Sequence, residues 1–490
     1  MATLSLENRK LGIFLILVFV FFLRLYNLGY HDFWYDEVIT ISYAQHPWSN
    51  WNAPLYWILL HYWIKIFRVS EFSLRFPSLI FNFLSVILTF LLGKELFNKK
   101  VGIIASIFIG LSPFHLWYAQ EARDYSMVLF LGTLSSYLFF KAIKEERVKL
   151  WLFFILVSLC GLYTSYFYIF LFLAQGSYLI FLRKFKVDLK VIICFLFITL
   201  GFSFYLPPFL SKFYFIWQGF WIPKPTWESL IITIENFILG YNGFSFIYFV
   251  SDVLVVLFFI SALWAIRKKE LKASFIFCIF LAFIPIILAF IFSKLFFSLY
   301  LDRGLIIFSP YFYLILSLGI VFLKRMLRAA SLIILVTMLL IADYGYCKDW
   351  MFMPFEHHTG TCVKRPIKPI VKFLNDQIEP QDIIAFTNTH AYSPFSYYVS
   401  KKSYPIYLFF DPQILNPNWK RSIAEGRYCV PFYKINNLEF KRLWVIYSDW
   451  ERSGNLDESS LSVKNWLGKN LKVEFVKEFD GLWIYRYVRM

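Results

Sequence analysis

Runs of about 20 apolar residues recur from residue 11 to residue 346, each long enough to cross the roughly 30 Å of a bilayer's hydrocarbon. That repetition constrains the fold more than any other feature. It fits a composition that is 59% hydrophobic, where a soluble domain carries about 45–50%. The chain is expected to be a polytopic α-helical membrane protein with about eleven transmembrane helices, drawn at 11–29, 77–93, 101–118, 126–143, 150–167, 168–182, 191–209, 247–266, 273–292, 304–323 and 329–346. Residues 150–182 read either as two short spans or as one kinked hairpin. The first run is too long for the core of a signal peptide and lacks a small-residue cleavage site, so it reads as a retained helix.

The charges test this drawing. With Arg9 and Lys10 in the cytoplasm and the spans alternating, the cytoplasmic loops hold Lys94/Lys99/Lys100, Lys144/Arg147/Lys149, Arg183/Lys184/Lys186/Lys190, Arg267/Lys268/Lys269/Lys272 and Lys324/Arg325/Arg328. Every compact basic cluster between spans then falls on one side, as the positive-inside rule requires. Dropping one span would invert everything after it. The net charge of +17 is therefore a topology signal and not the footprint of a nucleic-acid partner. This topology predicts an integral cytoplasmic (inner) membrane protein with a cytoplasmic N-terminus. The acidic first loop, the long 210–246 loop and the C-terminal tail lie outside the cytoplasm.

Two domains follow. Residues 1–346 form a transmembrane domain that includes an external loop, 30–76, in which the stretch from Pro54 to Phe67 could lie as an amphipathic helix in the interface. Residues 347–490 change character. Alternating runs from Asp382, Arg442 and Gly481 read as strands and Lys368–Ile378 as a helix, so a small extracytoplasmic α/β domain is expected. Cys160, Cys194 and Cys278 lie in apolar spans. Cys347, Cys362 and Cys429 lie in the tail, where one disulfide is open and Cys347 with Cys362 is the nearest pair.

Chemistry concentrates in three places on the predicted outer side. Asp32-Phe33-Trp34-Tyr35-Asp36-Glu37 sets three carboxylates where the first span ends. Asp36 or Glu37, beside apolar aromatics, has a physical reason to hold a proton more tightly and suits a general base; a metal-ligand role and simple helix capping are the alternatives. Residues Ser112–Tyr125 bring Glu121, Arg123 and Asp124 to a junction of two spans, flanked by Tyr118 and Tyr125. An Arg there either pairs at the surface or grips an anionic head group with its planar fork. Arg303, after Asp302, and Arg75, before Pro77, are two more outer arginines, read either as phosphate ligands or as snorkelling interface residues. The outer His31, His46, His61 and His115 share no metal-ligand spacing, so zinc has weak support. No nucleotide-binding glycine motif occurs, which favours an activated donor already in the membrane.

These residues resemble a known family. Phe33-Trp34-Tyr35-Asp36-Glu37, then Ala53-Pro54-Leu55-Tyr56, then Ser73-Leu74-Arg75-Phe76-Pro77-Ser78, then Ser112 through Tyr125, with Trp221-Ile222-Pro223-Lys224-Pro225 and the Arg303 segment, resemble in order the bacterial membrane glycosyltransferases of the GT-C superfold. The nearest groups are the dolichyl-phosphate-mannose protein mannosyltransferase-like family (glycosyltransferase family 39) and the lipid A aminoarabinose transferases (family 83). The resemblance implies a GT-C-like domain in which Asp36 is the catalytic base with Glu37 beside it. Arg123, Arg303 and Arg75 lie near the donor phosphate, with Glu121, Tyr125 and Tyr56 in support. It implies a polyprenyl-phosphate sugar donor carrying a hexose or pentose. The acceptor is a lipid, glycan or protein hydroxyl, as in cell-envelope glycan or lipopolysaccharide biosynthesis. No cofactor is required by the sequence, and a divalent cation is left open. Two positions depart from the family: Asn52 stands where many members have His, and Ser165 where they have the His of a Thr-His-Tyr run. A lipid-sugar transporter or flippase and a catalytically inactive scaffold are the rival readings. The first is disfavoured because the acids and arginines gather at one face while the spans are nearly free of charge.

Overall fold

The computed structural model describes residues 2–48, 53–182, 188–217, 221–351, 355–361, 364–399, 404–413, 429–449 and 456–490, with no side-chain detail for 2–10 and 13. Arg9 and Lys10 thus lack described side chains, and Asn52, the basic residues at 183–186 and Cys362 lie outside the described residues. Cys347 and Cys429 carry free thiols. Two compact units emerge. The first comprises Met1–Leu28, His46–Phe215 and Ile222–Thr359, and the second Gly29–Gln45, Ile216–Trp221 and Gly360–Met490. The division drawn from the sequence, 1–346 and 347–490, sets the boundary earlier and keeps the acidic segment with the helices.

The first unit is helical. Glu71–Leu96, Tyr125–Glu145, Ser245–Ala265, Lys269–Leu295, Asp302–Phe322 and Arg325–Cys347 are each long and apolar enough to cross a membrane, and the chain is an integral membrane protein. Among the described residues, two bent pairs raise the count from six to eight if each is one span. Lys99–Leu111 and Pro113–Ala119 meet at 61°, and Leu189–Ser203 and Leu206–Trp217 at 68°. Proline accounts for both breaks, Pro113 in the first and Pro207-Pro208 in the second, because a proline removes a donor and its ring clashes with the preceding turn. Leu55–Phe67, Val148–Leu162 and Tyr168–Leu182 are shorter apolar helices, and Phe14–Leu25 is an apolar stretch within the first helix, Ala2–Leu25. Each of the eleven sequence-drawn spans overlaps a helix or a bent helix pair. The stretch 210–246, expected as a loop, contains part of Leu206–Trp217 and all of Glu228–Leu239 as helix. Several basic clusters share one end of the unit: Lys144 pairs with Glu95 at 2.7 Å, Lys99 and Lys100 line one cleft with Val321 and Phe322, and Lys268 lies 5.3 Å from the Phe322 ring.

Where Ser245–Ala265 crosses Ser309–Phe322, Gly319 permits the contact. A Cβ there would sit 1.9 Å from the Phe258 carbonyl oxygen, and Ser261 Oγ donates to the Gly319 carbonyl at 2.8 Å. Small residues let helix backbones approach in this way. Gly319→Ala is expected to cost about 1–3 kcal/mol through overpacking, read as a lower thermal midpoint in detergent.

The second unit is a six-stranded sheet of β1 (Ile383–Phe386), β2 (Ile406–Phe410), β3 (Cys429–Pro431), β4 (Leu443–Ser448), β5 (Leu471–Phe479) and β6 (Leu482–Arg489), ordered β3-β2-β1-β4-β6-β5. β1 to β4 are parallel, and the β5–β6 hairpin adds antiparallel to β4. Central strands buried on both faces read as continuous apolar runs. Ile384 and Phe386 pack with Ile370 and Leu374 of the helix Ile367–Gln377, while Ile383 and Ala385 pack with Val463 and Leu467 of Glu458–Asn470. The sequence-drawn helix and the three strand runs correspond to Ile367–Gln377, β1, β4 and β6.

Asp382, buried at the start of β1, is gripped by Arg442. Its Nε donates to both carboxylate oxygens at 3.0 Å, Nη2 donates to Oδ2 at 2.6 Å, and Trp444 Nε1 adds a donor at 3.1 Å. Burial pushes this carboxyl up, but the Arg442, Glu379 N–H and Trp444 bonds outweigh it and hold it below the usual range. A depressed carboxyl stabilises the fold above the unfolded value of about 3.9, and that contribution is lost as pH falls through the lowered value. Asp382→Asn is therefore expected to flatten the acid limb of a melting-temperature-against-pH curve and to lower the midpoint at neutral pH.

The acidic segment belongs to this second unit through specific contacts. Lys368 N–H donates to Asp32 Oδ2 at 2.8 Å, and Phe33 N–H donates to the Tyr398 hydroxyl at 2.7 Å. The Phe33 ring packs edge-on against Tyr397 at 5.5 Å, and Tyr35 packs against His390 at 5.0 Å.

Candidate active site

The two carboxylates of the acidic pair differ in setting. Both lie in the first turn of the helix Tyr35–Gln45. Glu37 is fully buried, and its Oε2 accepts from the Trp34 N–H at 3.5 Å, the reach-back of a capping box. Asp36 is only half-buried. Its carbonyl accepts from Thr40 Oγ1, so the turn that presents it is fixed.

The remaining candidates lie in the first unit, where segments far apart in sequence meet. Tyr56 is fully buried, and its hydroxyl shares a hydrogen bond with Ser78 Oγ at 2.8 Å; Ser78 Oγ also approaches the Arg123 carbonyl at 3.2 Å. The Leu55 N–H donates to the Tyr163 carbonyl at 2.8 Å. Three of the sequence runs that carried the family resemblance thus converge on Arg123. Its guanidinium lies 5.5 Å from the Trp57 ring and 5.8 Å from the Tyr125 ring, and that of Arg303 lies 5.9 Å from the same Tyr125 ring. Tyr125 opens the helix Tyr125–Glu145 and stacks edge-on to Tyr118 at 5.0 Å. Glu121, 1% exposed, and Gln120 precede Arg123 in the turn between Pro113–Ala119 and that helix.

Asp302, which precedes Arg303, is anchored on both carboxylate oxygens. Asp302 Oδ1 accepts from Thr233 Oγ1 at 2.7 Å and its Oδ2 from Asn236 Nδ2 at 2.5 Å; Asn236 also donates to the His357 carbonyl, and His357 Nε2 meets Glu235 Oε2 at 2.9 Å. Next to Arg303, Gly304 fits only without a side chain, since a Cβ would come within 2.3 Å of the Phe167 ring. Arg75 is 1% exposed and donates to the Leu28 carbonyl at 3.0 Å. His115, drawn as an outer-side residue, is fully buried against Ser309 Oγ at 3.0 Å.

Two further residues join this group, Asp124, named in its cluster but assigned no part in the site, and Lys212, not singled out at all. Asp124 hydrogen-bonds Ser165, one of the two positions that depart from the family, and interacts electrostatically with Arg123 and Arg303; burial nonetheless pushes its carboxyl up. Lys212, on Leu206–Trp217, is also within electrostatic reach of Arg123. A lone lysine in an apolar stretch was the available signal. Arg123, Arg303 and Lys212 thus gather cations from three separate segments near one ring, an arrangement suited to holding an anion. Among the described residues, no group of three or more His, Cys, Asp or Glu side chains is arranged to hold a metal ion.

The architecture is that of a polytopic membrane protein of the GT-C superfold. It superposes on ArnT from Cupriavidus metallidurans in the apo state with a TM-score of 0.63 at 10% identity, covering 98% of both chains. The same protein bound to undecaprenyl phosphate gives 0.62 at 10% identity, with the same coverage. A family model described as dolichyl-phosphate-mannose-protein mannosyltransferase matches residues 46–210. An uncharacterized protein of Aquifex aeolicus is 25% identical over 297 residues, 53% of this chain; the match spans 56% of that relative.

Proposed function

We propose that the protein is an inverting glycosyltransferase that moves a hexose or pentose from a polyprenyl-phosphate donor to a lipid, glycan or protein hydroxyl on the outer face of the cytoplasmic membrane. The observation that carries this reading is the convergence of Arg123, in the turn before Tyr125–Glu145, and Arg303, in the distant segment Asp302–Leu305, on one Tyr125 ring, with Lys212 near. Like charges repel, so bringing them together is favourable when an anion such as a phosphate is held among them. The ArnT structure with undecaprenyl phosphate supports this choice of anion, as does the mannosyltransferase family model.

In the reaction, Asp36 accepts the proton of the acceptor hydroxyl as its oxygen forms a bond to the sugar C1. The bond from C1 to the phosphate oxygen breaks on the opposite face, and the electron pair leaves on polyprenyl phosphate. Arg123 and Arg303 stabilise the charge growing there, where prearranged cations are most effective. Glu37, buried and capping the helix start, orients Asp36 in this scheme. Tyr56, Tyr125 and Glu121 support the arginines, and Arg75, buried against the Leu28 carbonyl, belongs to the frame.

Direct binding tests the anion site. The purified protein is expected to bind undecaprenyl phosphate, and Arg303→Ala to weaken that binding about 10-fold or more, as loss of a charge-assisted contact to phosphate does. Unchanged affinity in Arg303→Ala would remove Arg303 from the site.

A further inference from the structure

The broken helix leading to Arg123 leaves backbone acceptors without helical donors. In an unbroken helix the Ile109 carbonyl would accept from residue 113, but Pro113 has no N–H. The donors come instead from Arg24 of the first helix, which is 0% exposed. Its Nη2 donates to the Ile109 carbonyl at 2.8 Å, Nη1 to the Gly110 carbonyl at 2.8 Å, and Nε to Asn82 Oδ1 at 2.9 Å. The first helix can come this close because Gly110 faces Val20, where a Cβ would already lie 3.0 Å from its side chain.

The far end of the second segment, Pro113–Ala119, returns the grip. Gln120 Nε2 donates to the Arg24 carbonyl at 2.8 Å and the Tyr26 carbonyl at 2.6 Å, while its Oε1 accepts from the Tyr346 hydroxyl at 2.7 Å. An ionised side chain at membrane depth is costly without a countercharge. Asp343, 3% exposed on Arg325–Cys347, supplies one, interacting electrostatically with Arg24 while neither carboxylate oxygen has a hydrogen-bond partner among the described residues. Asp343 therefore balances charge, and the directional bonds of Arg24 all go to the broken helix, the first helix's own Val20 carbonyl and Asn82.

We propose that Arg24 and Gln120 are positioning residues of the candidate site: they clasp the broken helix on both sides of its bend, Arg24 at the last turn of Lys99–Leu111 and Gln120 at the far end of Pro113–Ala119, and so set where Glu121 and Arg123 stand. The catalytic meaning of the clasp rests on the glycosyltransferase reading; its geometry does not. Lysine at position 24 keeps a cation near Asp343 but lacks the planar fork that serves two carbonyls and an amide at once.

The test uses the full-length protein in lipid nanodiscs. In Arg24→Lys and in Gln120→Leu, amide hydrogen exchange over residues 109–125 is expected to rise about 10-fold or more, while Lys269–Leu295 exchanges as in wild type. Undecaprenyl phosphate binding should weaken by a similar factor in both variants, with thermal midpoints within a few degrees of wild type. Wild-type exchange over 109–125 in both variants would overturn the clasp. Full rescue by Lys of both exchange and binding would reduce Arg24 to a charge partner of Asp343 and also overturn it. Faster local exchange in the variants, with a wild type that binds no polyprenyl phosphate, would support the clasp and sink the glycosyltransferase reading instead.

Discussion

Asp36→Asn is expected to lower sugar transfer about 100-fold or more, the usual scale for loss of a positioned general base, with little change in donor affinity. Asparagine matches the shape of aspartate but cannot take the acceptor's proton. The protein should stay folded, because the cap on the Trp34 N–H comes from Glu37 and the segment is tied down through Asp32 and Phe33. Glu37→Gln keeps the capping oxygen, so its effect should be smaller, on the order of 10-fold, and expressed through the placement of Asp36. Single-turnover rates with donor in excess separate the two. A Glu37→Gln loss as large as that of Asp36→Asn, with Asp36→Asn near wild type, would exchange their roles.

Arg303→Ala is the second large effect. Removing a preorganised charge-stabilising group typically costs about 10²–10³ in the rate of the chemical step, and the same range is expected here in kcat. Arg303→Lys should recover part of it, since the charge returns without the planar fork. Arg123→Ala should behave alike, and the double variant should fall short of the product of the single losses, because both guanidiniums serve one site at Tyr125. Multiplicative losses would place the two arginines in separate roles.

The sequence made the membrane character legible because hydrocarbon thickness sets the length of an apolar run, but it ran the span 101–118 straight through Pro113, since apolarity alone does not register the missing donor that bends the helix there. Alternation revealed β1, β4 and β6. Other features depend on contacts between distant segments. Nothing near residues 29–45 announces that Phe33 seeks Tyr398 or that Asp32 accepts from Lys368. Likewise, Tyr56, Ser78 and Arg123 are separate runs until packing joins them. Lys212 was hidden for another reason: the prolines at 207 and 208 end the apolar run, so the stretch beyond them reads as loop although it resumes as helix. His115 carries a polar side chain near a span end, which suggests the surface, yet Ser309 offers it a partner in the interior.

The measurement that bears most directly on the glycosyltransferase reading is a phosphorus NMR assay of the full-length protein in nanodiscs with a panel of undecaprenyl-phosphate hexoses and pentoses and a mixture of lipid, glycan and peptide hydroxyl acceptors. The account predicts that at least one donor yields free undecaprenyl phosphate together with a sugar of inverted anomeric configuration on an acceptor, and that Asp36→Asn abolishes both. Tight binding of every donor with none cleaved, or passage of an intact donor between leaflets, would contradict it and make the protein a carrier of lipid-linked sugars.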